Sequence, residues 1–212
     1  MKKRTIGLIG LGMAVAPHAR SLRELADRVA VRAYSRSAAR RHAFAATYAL
    51  PVVDRLEAVI EDPEVDAVML LPPPDSRLDL IRRIAAAGKA LLMEKPLERS
   101  LGAAREVVAL IEAAGITAGV VFQHRFRAGA ERLALAVRDG ELGELATAQL
   151  EIPWWRPQSY YDEPGRGTLA RDGGGVLITQ GIHAMDVLLS LTGPVAAVPA
   201  TAGPPPLPSM GG

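Results

Sequence analysis

Apolar residues along this chain come in short runs set apart by turn residues and by longer stretches with helical spacing. Residues 4–9 (RTIGLI), 29–34 (VAVRAY), 65–71 (VDAVMLL), 90–93 (ALLM) and 116–122 (ITAGVVF) read as strands. The segments between them read as helices: 13–26, a helix capped by Ser37 and running to 48, and a short one over 55–61 capped by Asp54. A further helix is opened by Asp75 or Ser76 and stopped by Gly88, and another runs from a Ser100 cap to 114 with Gly115 beyond its end. The strand runs are continuously apolar rather than alternating, the pattern of a parallel sheet covered on both faces. The order βαβαβαβαβ therefore predicts an α/β fold with a doubly wound parallel sheet and ligands at the carboxyl ends of its strands.

The pattern changes near residue 123. A helix is expected around 128–139, a strand near 146–152 and a helix from 175 or 176 to 191. Between the last two lies PWWRPQSYYDEPGRGTLARDGGG, irregular and rich in aromatic residues, Gly and Arg. The final stretch is rich in Pro and Gly and reads as a tail without a packed element. The expected organisation is one α/β domain over 1–122, the start of a second region over 123–198, and a tail over 199–212.

Residues 1–16 have two readings. A basic start, an apolar middle and Ala14-Val15-Ala16 suit a signal peptide. A first strand running into the turn Gly10-Leu11-Gly12 suits a strand–turn–helix–strand unit, the context a dinucleotide fingerprint requires. The glycines at 7, 10 and 12 interrupt any signal-peptide core, so the second reading is preferred, and with it a cytoplasmic protein.

Composition narrows the chemistry. Of 212 residues, 49% are hydrophobic and 23% charged, the balance of a globular chain with a sizeable core. There is no cysteine, which excludes thiolate chemistry and iron–sulfur clusters, and the four histidines lack metal-ligand spacing, so no metal site is expected. No uninterrupted apolar run reaches the roughly 18 residues of a membrane span, and no membrane association is expected. The net charge is +2 with no concentrated basic stripe, which argues against nucleic acid. Arginine greatly outnumbers lysine, and a lysine in such a chain attracts suspicion because arginine cannot replace it in proton transfer.

Five motifs then occur in order: IGLIGLG with PHA after it, VDAVMLLPPP, AAAGKALLMEKPLERS, AGVVFQHRF and GGGVLITQGIHAMD. Together, over about residues 4–198, they resemble the glucose–fructose oxidoreductase/inositol dehydrogenase/rhizopine catabolism (Gfo/Idh/MocA) family of NAD(P)-dependent oxidoreductases. The resemblance implies an N-terminal Rossmann domain followed by an α/β substrate domain with a large sheet. Most of that sheet has no counterpart in this chain, so the substrate domain is expected to be incomplete and its strand at 146–152 short of partners. Homo-oligomers are usual for the family, through that sheet, and are doubtful here for the same reason.

The resemblance also distributes roles. Gly10 permits the tight turn, and Gly12 lets the backbone approach a pyrophosphate at a helix N-terminus, with Met13 and Ala14 beside it. The third fingerprint glycine is replaced. No carboxylate lies between Asp27 and Asp54 to hold ribose hydroxyls; Ser35, Arg36 and Ser37 stand there, with Arg40 and Arg41 one turn on, which favours NADP over NAD. Pro72, Pro73 and Pro74 would line the nicotinamide side, with Glu94 and Lys95 at the same sheet edge. Lys95 resembles the family's catalytic lysine and His183 its general acid/base. Many members carry aspartate where this chain has Thr179; Asp172 or Asp186 would have to substitute, unless Lys95 and His183 divide the work. Gln123, Arg125, Trp154, Trp155, Tyr160, Arg166 and Asp172 are the candidate substrate contacts, suited to a sugar, cyclitol or related polyol. Arg77 stands where many relatives carry histidine, and no role is assigned to it. The rival reading is a dinucleotide-binding protein without turnover.

Overall fold

A computed structural model describes residues 3–162 and 164–201. The chain divides into two compact units, Met1–Val121 and Phe122–Gly212.

The first unit is an α/β sandwich built on five parallel strands in the order β2-β1-β3-β4-β5. These are β1 (Arg4–Ile9), β2 (Val29–Tyr34), β3 (Ala67–Leu70), β4 (Ala90–Glu94) and β5 (Ala118–Val121). The helices are α1 (Val15–Glu24), α2 (Ala38–Tyr48), α3 (Glu57–Ile60), α4 (Leu78–Ala86) and α5 (Leu101–Ala114). Side chains alternate across each strand, so neighbouring residues of β1 serve opposite faces. Leu8 joins a core with Val15, Ala19, Leu22 and Phe44 of α1 and α2; Ile9 joins one with Ile60, Ile81, Ile84 and Val107 of α3, α4 and α5. The N-terminal segment is thus a central strand paired on both sides, as the fingerprint reading required.

Local signals account for several ends. The hydroxyls of Ser37 and Ser100 accept the N–H of Arg40 and Ala103, each at 3.3 Å, and so cap α2 and α5. Gly115 ends α5 at φ +64°. Two expected caps are absent. α3 begins at Glu57 behind Leu56, out of reach of Asp54, and a 3-10 turn over Pro74–Ser76 occupies the place where Asp75 or Ser76 would start a helix. α4 begins after Arg77, with no side-chain cap.

The second unit contains α6 (Ala128–Arg138), α7 (Gln158–Tyr161), α8 (Leu169–Asp172), a π-helix over Leu177–Gly181 and α9 (Ile182–Thr192). The strand expected near 146–152 is not formed: the segment has no regular structure and is almost entirely exposed, and no neighbouring strand among the described residues offers it a ladder. It borders a groove of about 650 Å³ lined by Leu133 and Val137 of α6, Leu150, and Val187, Leu188 and Leu191 of α9. The 24 residues Leu169–Thr192 contain an 18-residue window with a mean hydropathy of 1.3, enough by length and composition to cross a bilayer, although residues 173–175 interrupt the helix. Counting uninterrupted apolar runs missed it. A core helix of a globular protein can share that length and composition, but only 17% of this window is buried. Residues 199–201 are irregular and exposed; the rest of the expected tail lies outside the described residues.

Candidate dinucleotide and active-site residues

In the first unit the strand ends gather residues far apart in sequence. Sheet order reverses between β1 and β3, and ligands of such sheets bind outside the carboxyl ends of the strands. Gly10 follows β1 at φ +99°, and its N–H donates to the Tyr34 carbonyl at 3.0 Å. A Cβ at this position would lie 2.8 Å from Pro72 Cδ and 2.9 Å from Pro72 N. The turn therefore rests directly on the segment that follows β3. Gly12 is exposed, and a Cβ there would have only Arg40 Nη1 nearby, at 4.0 Å. Met13 is 71% exposed. α1 starts behind Ala14 with no side-chain cap and no acidic residue in its first turn, so its N–H groups suit an anion.

Around β2, Ser35 is buried and its hydroxyl accepts the Ser37 N–H, while Arg36 and Arg40 are exposed. Arg41 turns back on the chain: its guanidinium donates to the Ser35 carbonyl at 2.6 Å and lies over the Tyr34 ring. Of the three arginines, Arg36 and Arg40 therefore face solvent, with Arg40 next to Gly12. Pro72 and Pro73 follow β3; Pro74 is buried.

Glu94 and Lys95 lie at the end of β4. The Glu94 carboxylate pairs with His18 Nε2 at 2.7 Å, both side chains nearly buried, and accepts the Lys95 N–H at 3.1 Å. Burial raises the Glu94 pKa, but the His18 hydrogen bond and charge and the Lys95 charge outweigh it, leaving the carboxyl below its ordinary 4.5. Lys95 is half-buried. Neither His18 nor Arg77, which is 2% exposed, was identified as part of this edge from sequence. His18 was visible only as part of the Pro17-His18-Ala19 that follows the glycine turn, with no role attached; Arg77 was visible only as a departure from a pattern.

In the second unit His183 opens α9 and is buried. Its ring is 4.9 Å from that of His124 and edge-on to Phe122 at 6.2 Å; His124 in turn meets Trp154 at 5.9 Å. Burial and the nearby Arg127 both lower the His124 pKa below 6.5. His124 was missed from sequence, although it lies between Gln123 and Arg125. Gln123 is exposed. Arg125 makes a two-pronged ion pair with Asp186, Nε to Oδ2 at 2.5 Å and Nη2 to Oδ1 at 2.6 Å. Asp186, one of the two candidates to replace the aspartate missing at Thr179, is thus engaged by Arg125. Thr179 donates its hydroxyl to the Gly175 carbonyl at 2.9 Å.

The remaining candidates separate. Trp155 is 77% exposed, whereas Trp154 joins the histidine cluster. Tyr160 lies under Arg156 and Arg166 and edge-on to Tyr161. Asp172 accepts the Gly167 N–H at 2.7 Å and so braces its own loop. Gln180, on the π-helix, is buried with neither amide atom hydrogen-bonded. No group of three or more metal-ligating side chains is found among the described residues.

The fold and the strand-end edge define a nucleotide-binding Rossmann protein. Residues 4–122 match the family described as "Oxidoreductase family, NAD-binding Rossmann fold", and residues 130–206 match the GFO/IDH/MocA C-terminal domain. The chain belongs to this Gfo/Idh/MocA oxidoreductase family. It is 30% identical over 191 residues to inositol 2-dehydrogenase of Rhizobium meliloti, covering 88% of this chain and 54% of that protein. It is 28% identical to D-xylose dehydrogenase of Paenarthrobacter nicotinovorans, covering 68% of this chain and 38% of that one. The WlbA dehydrogenase of Bordetella pertussis, solved with NADH and UDP-GlcNAcA, superposes with a TM-score of 0.82 at 26% identity, covering 91% and 56% of the two chains. The chain thus spans about half the length of these relatives.

Proposed function

We propose that this protein is an NAD(P)-dependent oxidoreductase acting on a carbinol carbon of a sugar, cyclitol or related polyol, with NADP preferred. One observation carries the reading: Gly10, Pro72, Glu94 and Lys95, from the ends of three strands, share one sheet edge beside an uncapped helix start. The residues present fit a dinucleotide. Gly10 lets the turn close onto Pro72, Gly12 stands exposed at the start of α1, the α1 N–H groups suit a diphosphate, and Arg36 and Arg40 offer exposed cations for a 2′-phosphate. When bound, the nicotinamide would supply the hydride acceptor or donor.

The chain's own groups would handle the proton. The Lys95 ammonium hydrogen-bonds the substrate oxygen. His183, an imidazole able to work near neutral pH, takes the hydroxyl proton on oxidation and returns it on reduction. Thr179 contributes a hydrogen bond rather than a proton. Trp154, with Gln123 beside His124, offers a ring face and a polar group to a polyol; Trp155, Tyr160, Arg166, Asp172 and Arg125 are weaker candidates because of their exposure or existing partners. The domain roles follow, cofactor on 1–122 and substrate on 123–198, in a cytoplasmic protein.

The test is titration with NADPH and NADH, followed by assays with myo-inositol, D-xylose and other polyols. Tighter NADPH binding that Arg36→Glu abolishes supports the cofactor assignment; tighter NADH binding refutes it. Lys95→Ala should keep cofactor binding and lose turnover. A second reading, cofactor binding without catalysis, is favoured by Thr179 and by the engagement of Asp186 with Arg125. Binding with no turnover of any polyol by the wild-type chain would select it.

A further inference from the structure

Arg77 is the largest fully buried side chain among the described residues, yet it is ionisable. Burial pulls its guanidinium down to about 10 against the opposing charges of Glu94, Glu98 and Asp75, so it remains a cation at neutral pH. A buried cation is costly unless its donors are satisfied. Here they are satisfied by backbone: Nε donates to the Pro72 carbonyl at 2.5 Å, and Nη1 donates to the carbonyls of Pro96, at 2.7 Å, and Glu94. These three carbonyls lie just past β3, at the end of β4 and two residues further on. Pro72 and Pro96 lie beyond the registered strand pairs, and Glu94 is the last residue of β4 in register with β5.

The pattern of these bonds is specific. Glu94 and Pro96 flank Lys95, so one nitrogen of Arg77 ties both neighbours of the lysine. Nε ties the same frame to Pro72, which packs on Gly10. On the other side the Glu94 carboxylate accepts the Lys95 N–H and is itself held by His18. A rigid planar fork can hold divergent acceptors at once; a single ammonium meets them with less constraint.

We propose that Arg77 is a positioning residue that fixes the backbone carrying Lys95 and locks it to the Pro72–Gly10 turn. This rests on the reading of Lys95 as the amine that meets substrate beside the cofactor. Arg77 itself touches no reacting atom in this proposal. It sets where the Lys95 side chain starts and how far it can wander.

The scarcity of lysine makes the proposal measurable without a known substrate. Only Lys2, Lys3, Lys89 and Lys95 are present, so biosynthetic incorporation of carbon-13, nitrogen-15 lysine yields four lysine spin systems, with Lys95 assigned by Lys95→Arg. Lys89 donates to the Asp62 and Val65 carbonyls, away from this edge, and serves as an internal reference for the fold. The probe is NADP+. In the wild type the Lys95 amide should be a single sharp signal, and its side-chain signals should move on addition of NADP+. Arg77→Met should split or broaden the Lys95 amide and reduce its response to NADP+, with the Lys89 signals in place. Arg77→Lys should lie between the two, and carries the test alone if Arg77→Met fails to fold. Lys95 signals unchanged in position, width and NADP+ response in the folded variants would overturn the proposal. A wild-type Lys95 side chain that ignores saturating NADP+ would instead refute the reading of Lys95, whatever the variants do.

Discussion

Gly10 and Gly12 look alike in sequence, but the structure predicts opposite consequences for replacing them. At Gly10 the backbone has φ +99°, outside the favoured regions of L-residues. Adopting left-handed backbone costs an alanine about 1–2 kcal/mol. Its Cβ would also meet Pro72 N at 2.9 Å, a backbone atom that cannot swing aside. Rotating residue 10 to escape would give up the 3.0 Å bond from its N–H to Tyr34, about 1 kcal/mol more. The total is about 3 kcal/mol, or about two powers of ten in the folding equilibrium. With a urea slope of about 2 kcal/mol/M, the unfolding midpoint should fall by about 1.5 M. Gly12 has no such constraint: Gly12→Ala should change stability by less than about 0.5 kcal/mol. If the backbone at Gly12 approaches a diphosphate, however, an added methyl removes a charge-assisted hydrogen bond worth about 1.5–3 kcal/mol, and NADPH binding should weaken about tenfold or more. The assay is urea unfolding by far-UV circular dichroism, paired with NADPH fluorescence titration on each variant. A Gly10→Ala protein with an unchanged midpoint would refute the steric argument. A Gly12→Ala protein that binds NADPH as well as wild type would refute the phosphate argument.

Three further outcomes follow from the structure. Ile84 of α4 is fully buried in the core that also holds Ile9 and Met93, so Ile84→Ala should lower stability by about 2–5 kcal/mol in the same urea assay. The folded-state pKa of Glu94 is depressed below 4.5, so its contribution is present above the ordinary carboxylate pKa and is lost as pH falls through the folded value. Wild-type stability should therefore drop below about pH 4.5 by more than that of Glu94→Gln; parallel acid profiles for the two proteins would contradict this. Asp186→Asn removes one side of a two-pronged ion pair whose arginine is half-exposed, and should destabilise the second unit by about 1 kcal/mol, read from tryptophan fluorescence during urea unfolding.

The candidate site was legible where its signals are local or carried by short motifs. The glycine turn, the Glu94-Lys95-Pro96 strand end and the Gly-Ile-His of α9 all follow from neighbouring residues. The rest came from approach in space. His18 and Glu94 are 76 residues apart in sequence, and nothing in the composition of α1 points to a carboxylate partner. His124 lies inside a motif that had been read for its neighbours, and only packing brought its ring against His183. Trp154 and Trp155 are adjacent and chemically alike, yet one joins that cluster while the other faces solvent.

By itself, the sequence determined the five strands, their alternation with helices, the serine caps of α2 and α5 and the glycine that ends α5. Each depends on hydrophobic period or on a hydrogen bond spanning a few residues, so the information sits in a short window. Tertiary structure decided what depends on partners distant along the chain. Asp54 caps nothing because α3 starts beyond its reach. Residues 146–152 have strand-like composition but no strand beside them, and a ladder cannot form from one side. Arg77 reads as an ordinary charged residue and becomes a buried clamp only because two strand ends bring three backbone carbonyls within its reach. A local pattern can specify which conformation a segment prefers, but the groups it will meet are set by the register and packing of the whole sheet.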